Sequence, residues 1–209
     1  MQEHLLPLGD YNRIYQTAHG VLECVAPTER SCIFFALFGS YVLSEHYKIS
    51  ARPIAGRFAL RVSDGPDVVF FGKNDDEQIV SAADGFHMWV QTQTHIIDFM
   101  APLFREAVAN AMSDLVLPRK MFQRPIASQA TGLSGLQRTG DFISFSDHKL
   151  TKALINGFLS VPVNRDLMIL ADQCFGSPDA DQEIEFAMMS GPGQIQCFSV
   201  PTTIATGAW

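Results

Sequence analysis

The run Ile33-Phe34-Phe35-Ala36-Leu37-Phe38-Gly39-Ser40-Tyr41-Val42-Leu43 constrains this chain more than any other feature. As a helix it is apolar around most of its circumference, and a helix of that kind has to be covered on nearly every side. A bilayer cannot supply the cover, because a span needs about 18 to 20 apolar residues and this run is far shorter. Leu154 to Val163, the other strongly apolar run, is equally short and is interrupted by Asn156 and Pro162. The cover must therefore come from the protein itself. The material is present: 47% of residues are hydrophobic, Phe alone contributes 16, and charged residues reach only 18% where about 25% is usual. Such a composition excludes disorder as the main state. A chain of 209 residues should bury about 70% of the surface its unfolded form exposes, so a single domain over 1–209 is expected without help from disulfides or metals.

Charge narrows the partners. The net charge is −7 and no stretch concentrates Lys or Arg, so the electrostatic footprint for nucleic acid or anionic lipid is missing. Neither nucleic acid nor a membrane is an expected partner, and the oligomeric state is left open. Residues 1–25 lack a basic segment followed by an apolar one, which predicts no secretory signal. The four cysteines, Cys24, Cys32, Cys174 and Cys197, lack CxxC spacing and are too sparse for a disulfide framework. Free thiols in a cytoplasmic protein are the natural expectation. No cofactor is expected either: Gly132 to Gly135 and Gly191 to Gly193 do not build a phosphate-binding loop, and Asp75-Asp76-Glu77 lacks the glycine and terminal glutamate of a calcium loop.

Periodicity places the elements. Tyr11, Ile14, Tyr15, Ala18, Val21, Leu22 and Val25 recur at three- and four-residue steps, predicting an amphipathic helix over 9–25 that Pro27 ends. The buried helix should begin near Thr28, whose hydroxyl can cap free amides, with Cys32 in or just after its opening turn. Residues 51–62 and 68–72 read as a hairpin around Ser63-Asp64-Gly65-Pro66, and 86–92 with 95–100 as a second hairpin. Pro102 opens a helix towards Leu115. Residues 118–146 show little periodicity, which predicts an irregular segment of a length that suits a lid. Helices over 149–158 and 167–175 and a strand over 194–200 follow. The class is α+β, with N-terminal helices packed on an antiparallel sheet.

The second hairpin carries the chemistry. A symmetric pair centred between Thr92 and Gln93 puts His87 directly opposite Asp98, within reach of an imidazole–carboxylate hydrogen bond. Alternation puts His87, Trp89, Ile96 and Asp98 on one face and Met88, Val90, Ile97 and Phe99 on the other. The helix headed by Cys32 is expected to run against the face that shows His87 and Asp98. A histidine held by a carboxylate is oriented and stabilised as an imidazolium. A thiol beside it, at a helix start, is favoured as thiolate, and the Cys32 amide could donate to an oxyanion. A second donor is not readable: Gln16 and backbone amides remain open. Trp89 is expected to wall the thiol pocket. The alternative for each residue is structural, with Cys32 a small core side chain and His87 a satisfied core histidine. Cys32, His87 and Asp98 are also zinc-ligand types, but no HExxH or CxxC spacing accompanies them, so no metal is expected.

These residues carry a resemblance. Cys32 opening a buried helix, the Ile49 to Gly56 stretch (Ile-Ser-Ala-Arg-Pro-Ile-Ala-Gly), His87-Met88-Trp89-Val90 and Ile96-Ile97-Asp98 together look like the transglutaminase-like branch of the papain-like cysteine superfamily. The likeness covers about residues 28–100, with no Gly-Ile-Pro before Ala51-Arg52. Arylamine N-acetyltransferases are a more distant cousin. The resemblance implies Cys32 as nucleophile, His87 as base, Asp98 as its orienter, and thiol-dependent acyl transfer or amide hydrolysis on an unspecified substrate. The alternative is a non-catalytic binding or scaffold module that keeps the three residues as a relic.

Overall fold

In a computed structural model, the described residues are 3–23, 31–75, 78–80, 82, 85–109, 116–176, 187–189, 195–197 and 201–209. The first periodic segment forms α1 (Leu8–Glu23), with Asp10 in its first turn, where a negative charge suits the helix dipole. The apolar run forms α2 (Cys32–Glu45), so Cys32 is its first residue. The capping role expected of Thr28 lies outside the described residues. Ser31 occupies the cap position without bonding the helix amides; its hydroxyl points to the Met100 sulfur at 3.9 Å.

Strands β1 (Ala51–Arg61) and β2 (Val68–Phe71) make the first hairpin. A small antiparallel pair, β3 (Lys73–Asp75) and β4 (Gln78–Val80), follows it. Then come β5 (His87–Thr92) and β6 (His95–Asp98). The helix expected from Pro102 to Leu115 appears as a 3-10 turn, Ala101–Leu103, continuing into α3 (Phe104–Val108); residues 110–115 lie outside the described set. Beyond it are β7 (Phe122–Pro125), β8 (Phe142–Ser146), α4 (His148–Ser160), α5 (Pro162–Gly176), and a short pair, β9 (Ala187–Met189) with β10 (Ile195–Cys197). Residues 118–146 are therefore not irregular throughout. β7 pairs with β6 and β8 with β1, so both ends of the segment are tied into the sheet. Strands of four and five residues are too short for their alternation to stand out from the Gly- and Ser-rich turns between them.

The architecture is α+β: helices against a curled antiparallel sheet. Its centre is β1. Gly56 pairs with both His87 and Ser146, and Phe58 with both Phe71 and Ser144, so β8 occupies one side of β1 while β5 and β2 share the other. β2 and β5 thus lie end to end along one strand line, broken between Phe71 and His87. The chain between them leaves and returns through a narrow neck, where a Cβ on Gly85 would meet the Lys73 backbone nitrogen at 2.8 Å. At Gly56 a Cβ would come 1.9 Å from the Phe145 carbonyl oxygen, so only glycine allows β8 to close in there.

The two sheet faces bury different material. Tyr11, Tyr15, Phe34, Phe35 and Phe38 from α1 and α2 pack on Ala55, Met88, Val90, Ile97 and Phe99. The opposite face collects Ile54, Phe58, Leu60, Trp89, Ile96, Phe104, Phe122 and Phe142. The expected alternation of β5 and β6 therefore holds. The placement of α2 does not: a Cβ on Gly39 would strike the Phe99 ring and contact Val90, so the helix lies on their face and not on the one that shows His87 and Asp98. An all-apolar helix finds its complement on the apolar face, and the face carrying the polar pair is closed by aromatic rings. No helix among the described residues is long and apolar enough to cross a membrane.

Candidate active site

The β5–β6 hairpin determines where the polar pair sits. Its pairs are Val90 with Ile97 and Gln91 with Ile96, which leaves a two-residue loop, Gln93-Thr94. The sequence alone centres the hairpin one residue earlier and puts His87 directly opposite Asp98. They are instead diagonal neighbours. The reason is the turn chemistry. The Thr92 hydroxyl accepts the backbone N–H of His95 at 2.9 Å and of Thr94 at 3.3 Å, closing a tight loop without the left-handed residues such turns usually recruit. The correction displaces the partner by two positions, which preserves the face, and a diagonal neighbour is within reach of a side chain as long as histidine.

His87 Nε2 and Asp98 Oδ2 lie 2.5 Å apart, and both side chains are only 1% exposed. The other carboxylate oxygen, Oδ1, accepts the Met100 N–H at 2.9 Å, which fixes the carboxylate plane. The Asp98 backbone is held too: the Tyr11 hydroxyl donates to its carbonyl. Burial keeps that hydroxyl protonated, pushing its pKa well above 10, and the Asp98 charge acts the same way. With Nε2 engaged, Nδ1 is the ring nitrogen left for the thiol. Cys32 reaches the ring closely enough to hydrogen-bond it. The meeting occurs where the β2–β5 strand line is broken, at the first residue of β5 and the first of α2.

Burial drives the imidazole towards its neutral form. The Asp98 charge, then the hydrogen bonds to Asp98 and to Cys32, overcome this and raise His87 from 6.5 to about 10. The site therefore favours an imidazolium bridging a carboxylate and a thiol, all three nearly fully buried; Cys32 is 6% exposed. Aromatic rings surround the histidine: Phe71 stacks on it with centroids 4.4 Å apart, and Phe58 and Phe104 lie at 5.5 Å.

Comparison with known proteins adds a family. Residues 7–209 match the family described as "Protein of unknown function (DUF2026)". The chain belongs to DUF2026. A solved chain described as "The crystal structure of genomics APC5867" is similar over all of this DUF2026 protein and 99% of its own length, with 28% sequence identity and a TM-score of 0.83. No curated protein matches the chain.

The structure thus brings Cys32, His87 and Asp98 together and treats the other expected site residues differently. Trp89 is completely buried in the aromatic face, 6.0 Å from Phe58, so it backs the site from inside rather than lining a surface that a substrate meets. Its position in the strand alternation put it on the right face but carried no measure of depth. Gln16 donates its side-chain amide to the Pro201 carbonyl at 2.6 Å. No group of three or more His, Cys, Asp or Glu among the described residues is arranged to hold a metal ion. Tyr11, Phe58, Phe71 and Phe104 are the neighbours that sequence reasoning missed as site residues. Each was visible only as an apolar position in a helix or strand pattern, and nothing in that pattern says which polar group an aromatic side chain touches.

Proposed function

We propose that this protein carries out thiol-dependent acyl chemistry, with Cys32 as nucleophile, His87 as acid and base, and Asp98 as the group that orients and stabilises the imidazolium. The observation that carries the reading is a single buried imidazole that a carboxylate engages at Nε2 and that also interacts with a helix-leading thiol. In the first step the Cys32 sulfur, its proton held by His87 as the imidazolium, forms a bond to a carbonyl carbon as the C=O π electrons move to the oxygen. The tetrahedral adduct collapses to a thioester, and His87 gives its proton to the departing group. In the second, water or an amine attacks the thioester, neutral His87 takes its proton, and the C–S bond breaks to return the thiolate beside the imidazolium. The Cys32 backbone amide, at the first residue of α2, would be the donor to the oxyanion. Support also comes from the ordered resemblance of Cys32, His87-Met88-Trp89-Val90 and Asp98 to the transglutaminase-like branch, with a papain-like core and a cytoplasmic setting as parts of the same proposal.

A second reading has its own observation: the near-complete burial of all three side chains suits a binding or scaffold module in which the polar trio is structural. The pH profile of iodoacetamide alkylation separates the two, and it does so without depending on absolute access. Under the catalytic reading, wild-type Cys32 alkylates at pH 6 and His87→Ala shifts its reactivity to pH values above about 8, where an ordinary thiol ionises. Superimposable profiles for wild type and His87→Ala would exclude catalysis by this pair.

A further inference from the structure

Two strands that are remote in sequence put one ring face against the histidine. Phe71 pairs with Phe58 and His87 with Gly56 on the same side of β1, so the two are next-but-one neighbours on one face of a broken strand line, as i and i+2 would be on an unbroken one. The broken line does more than preserve that spacing. It places the last residue before the break flat against the first residue after it, with the planes inclined by only 20°. The other two rings differ: Phe58 is inclined by 43° and Phe104 by 68°, so neither presents its face. The titratable groups that meet the imidazole are Asp98 from β6 and Cys32 from α2; β1, β2 and α3 present aromatic rings. A ring face carries negative quadrupole density, and a cation held over it away from water is attracted to it.

We propose that Phe71 is a positioning residue of this site, its ring face holding the His87 imidazolium in the plane that joins Asp98 to Cys32. The proposal rests on the acyl-transfer reading for its purpose. Its physical content is separate: the stack favours the charged ring over the neutral one and restricts its rotation. Phe71 is only half-buried, so its side chain can be altered without emptying the core.

The test is an NMR titration of the His87 ring in the isotopically labelled full chain. The proteins are wild type, Phe71→Leu, Phe71→Tyr, and a variant with pentafluorophenylalanine introduced at position 71. The fluorinated ring keeps the shape of Phe and reverses the sign of its face. In Phe71→Leu and in the fluorinated protein the acid dissociation constant of the imidazolium should rise about three- to tenfold, while Phe71→Tyr should titrate as wild type. Wild-type titration in both altered proteins overturns the proposal, and the fluorinated variant decides alone if Phe71→Leu does not fold. Alkylation of Cys32 that ignores His87 overturns the acyl-transfer reading and with it this role. An unchanged titration beside His87-dependent alkylation overturns the role of Phe71 alone.

Discussion

The two faces of the sheet are built from neighbouring residues of the same strands, yet they are held together by different physics. On the helix face, Met88, Val90, Ile97 and Phe99 meet Phe34, Phe35 and Phe38, and stability comes from apolar area and close packing. On the other face, His87 and Asp98 occupy alternate positions of β5 and β6 inside a wall of Phe rings. A charged pair in such surroundings costs desolvation that only its partners offset, so the second face is stable as a completed set and fragile to the loss of any member. The contrast teaches that burial by itself does not distinguish core from site. What distinguishes them is whether a buried atom depends on one particular partner.

The sharpest break of that contrast is Asp98→Ala, which leaves an imidazolium-favouring ring buried without its carboxylate. Denaturant unfolding should show a loss of about 3–5 kcal/mol. A loss below about 1 kcal/mol would mean that the polar face behaves like the apolar one. Next in size is a pH effect. His87 binds its proton more tightly in the folded chain, at about 10, than at its ordinary 6.5, so the folded state holds the extra proton between these values. The stabilisation is complete below about 6.5 and disappears as pH rises through about 10; it amounts to a few kcal/mol. Unfolding free energies measured at pH 7 and pH 10 should therefore fall in wild type, and this component should vanish in His87→Gln. Smallest is Gly39→Ala on the helix face, where the new methyl would sit 2.3 Å from a Phe99 ring atom. Overpacking of this kind costs about 1–3 kcal/mol. It should lower thermal stability while leaving the pH profile of Cys32 alkylation at its wild-type shape, because the strain falls on the face without the pair.

Much of the site was legible in residue order. Alternation places His87 and Asp98 on one face, and the Pro27-Thr28 start signal places Cys32 in or just after the opening turn of the buried helix, of which the structure makes it the first residue. Register was not legible, because it depended on the Thr92 hydroxyl closing a two-residue turn, a side-chain substitution for the usual glycine chemistry. The course of α2 across the opposite face was not legible either. A helix apolar all round has no preferred face, so its own sequence cannot say which side of a sheet it will take. The strands inside 118–146 escaped for a third reason: their partners, β6 and β1, are remote in the chain, and pairing rather than propensity makes them strands.

By itself, the order of residues determined a covered central helix, an α+β class, and the side of the hairpin on which a histidine and an aspartate stand, because periods of 3.6 and 2 are properties of the local backbone. Only the tertiary structure decided that Asp98 and Cys32 meet the same ring, that Phe71 lies against it from across a break in the strand line, and that Trp89 is sealed behind it. These are contacts between segments far apart in sequence. Their geometry is set by strand register, close approach at Gly56 and the packing of whole elements, none of which is encoded in any one segment.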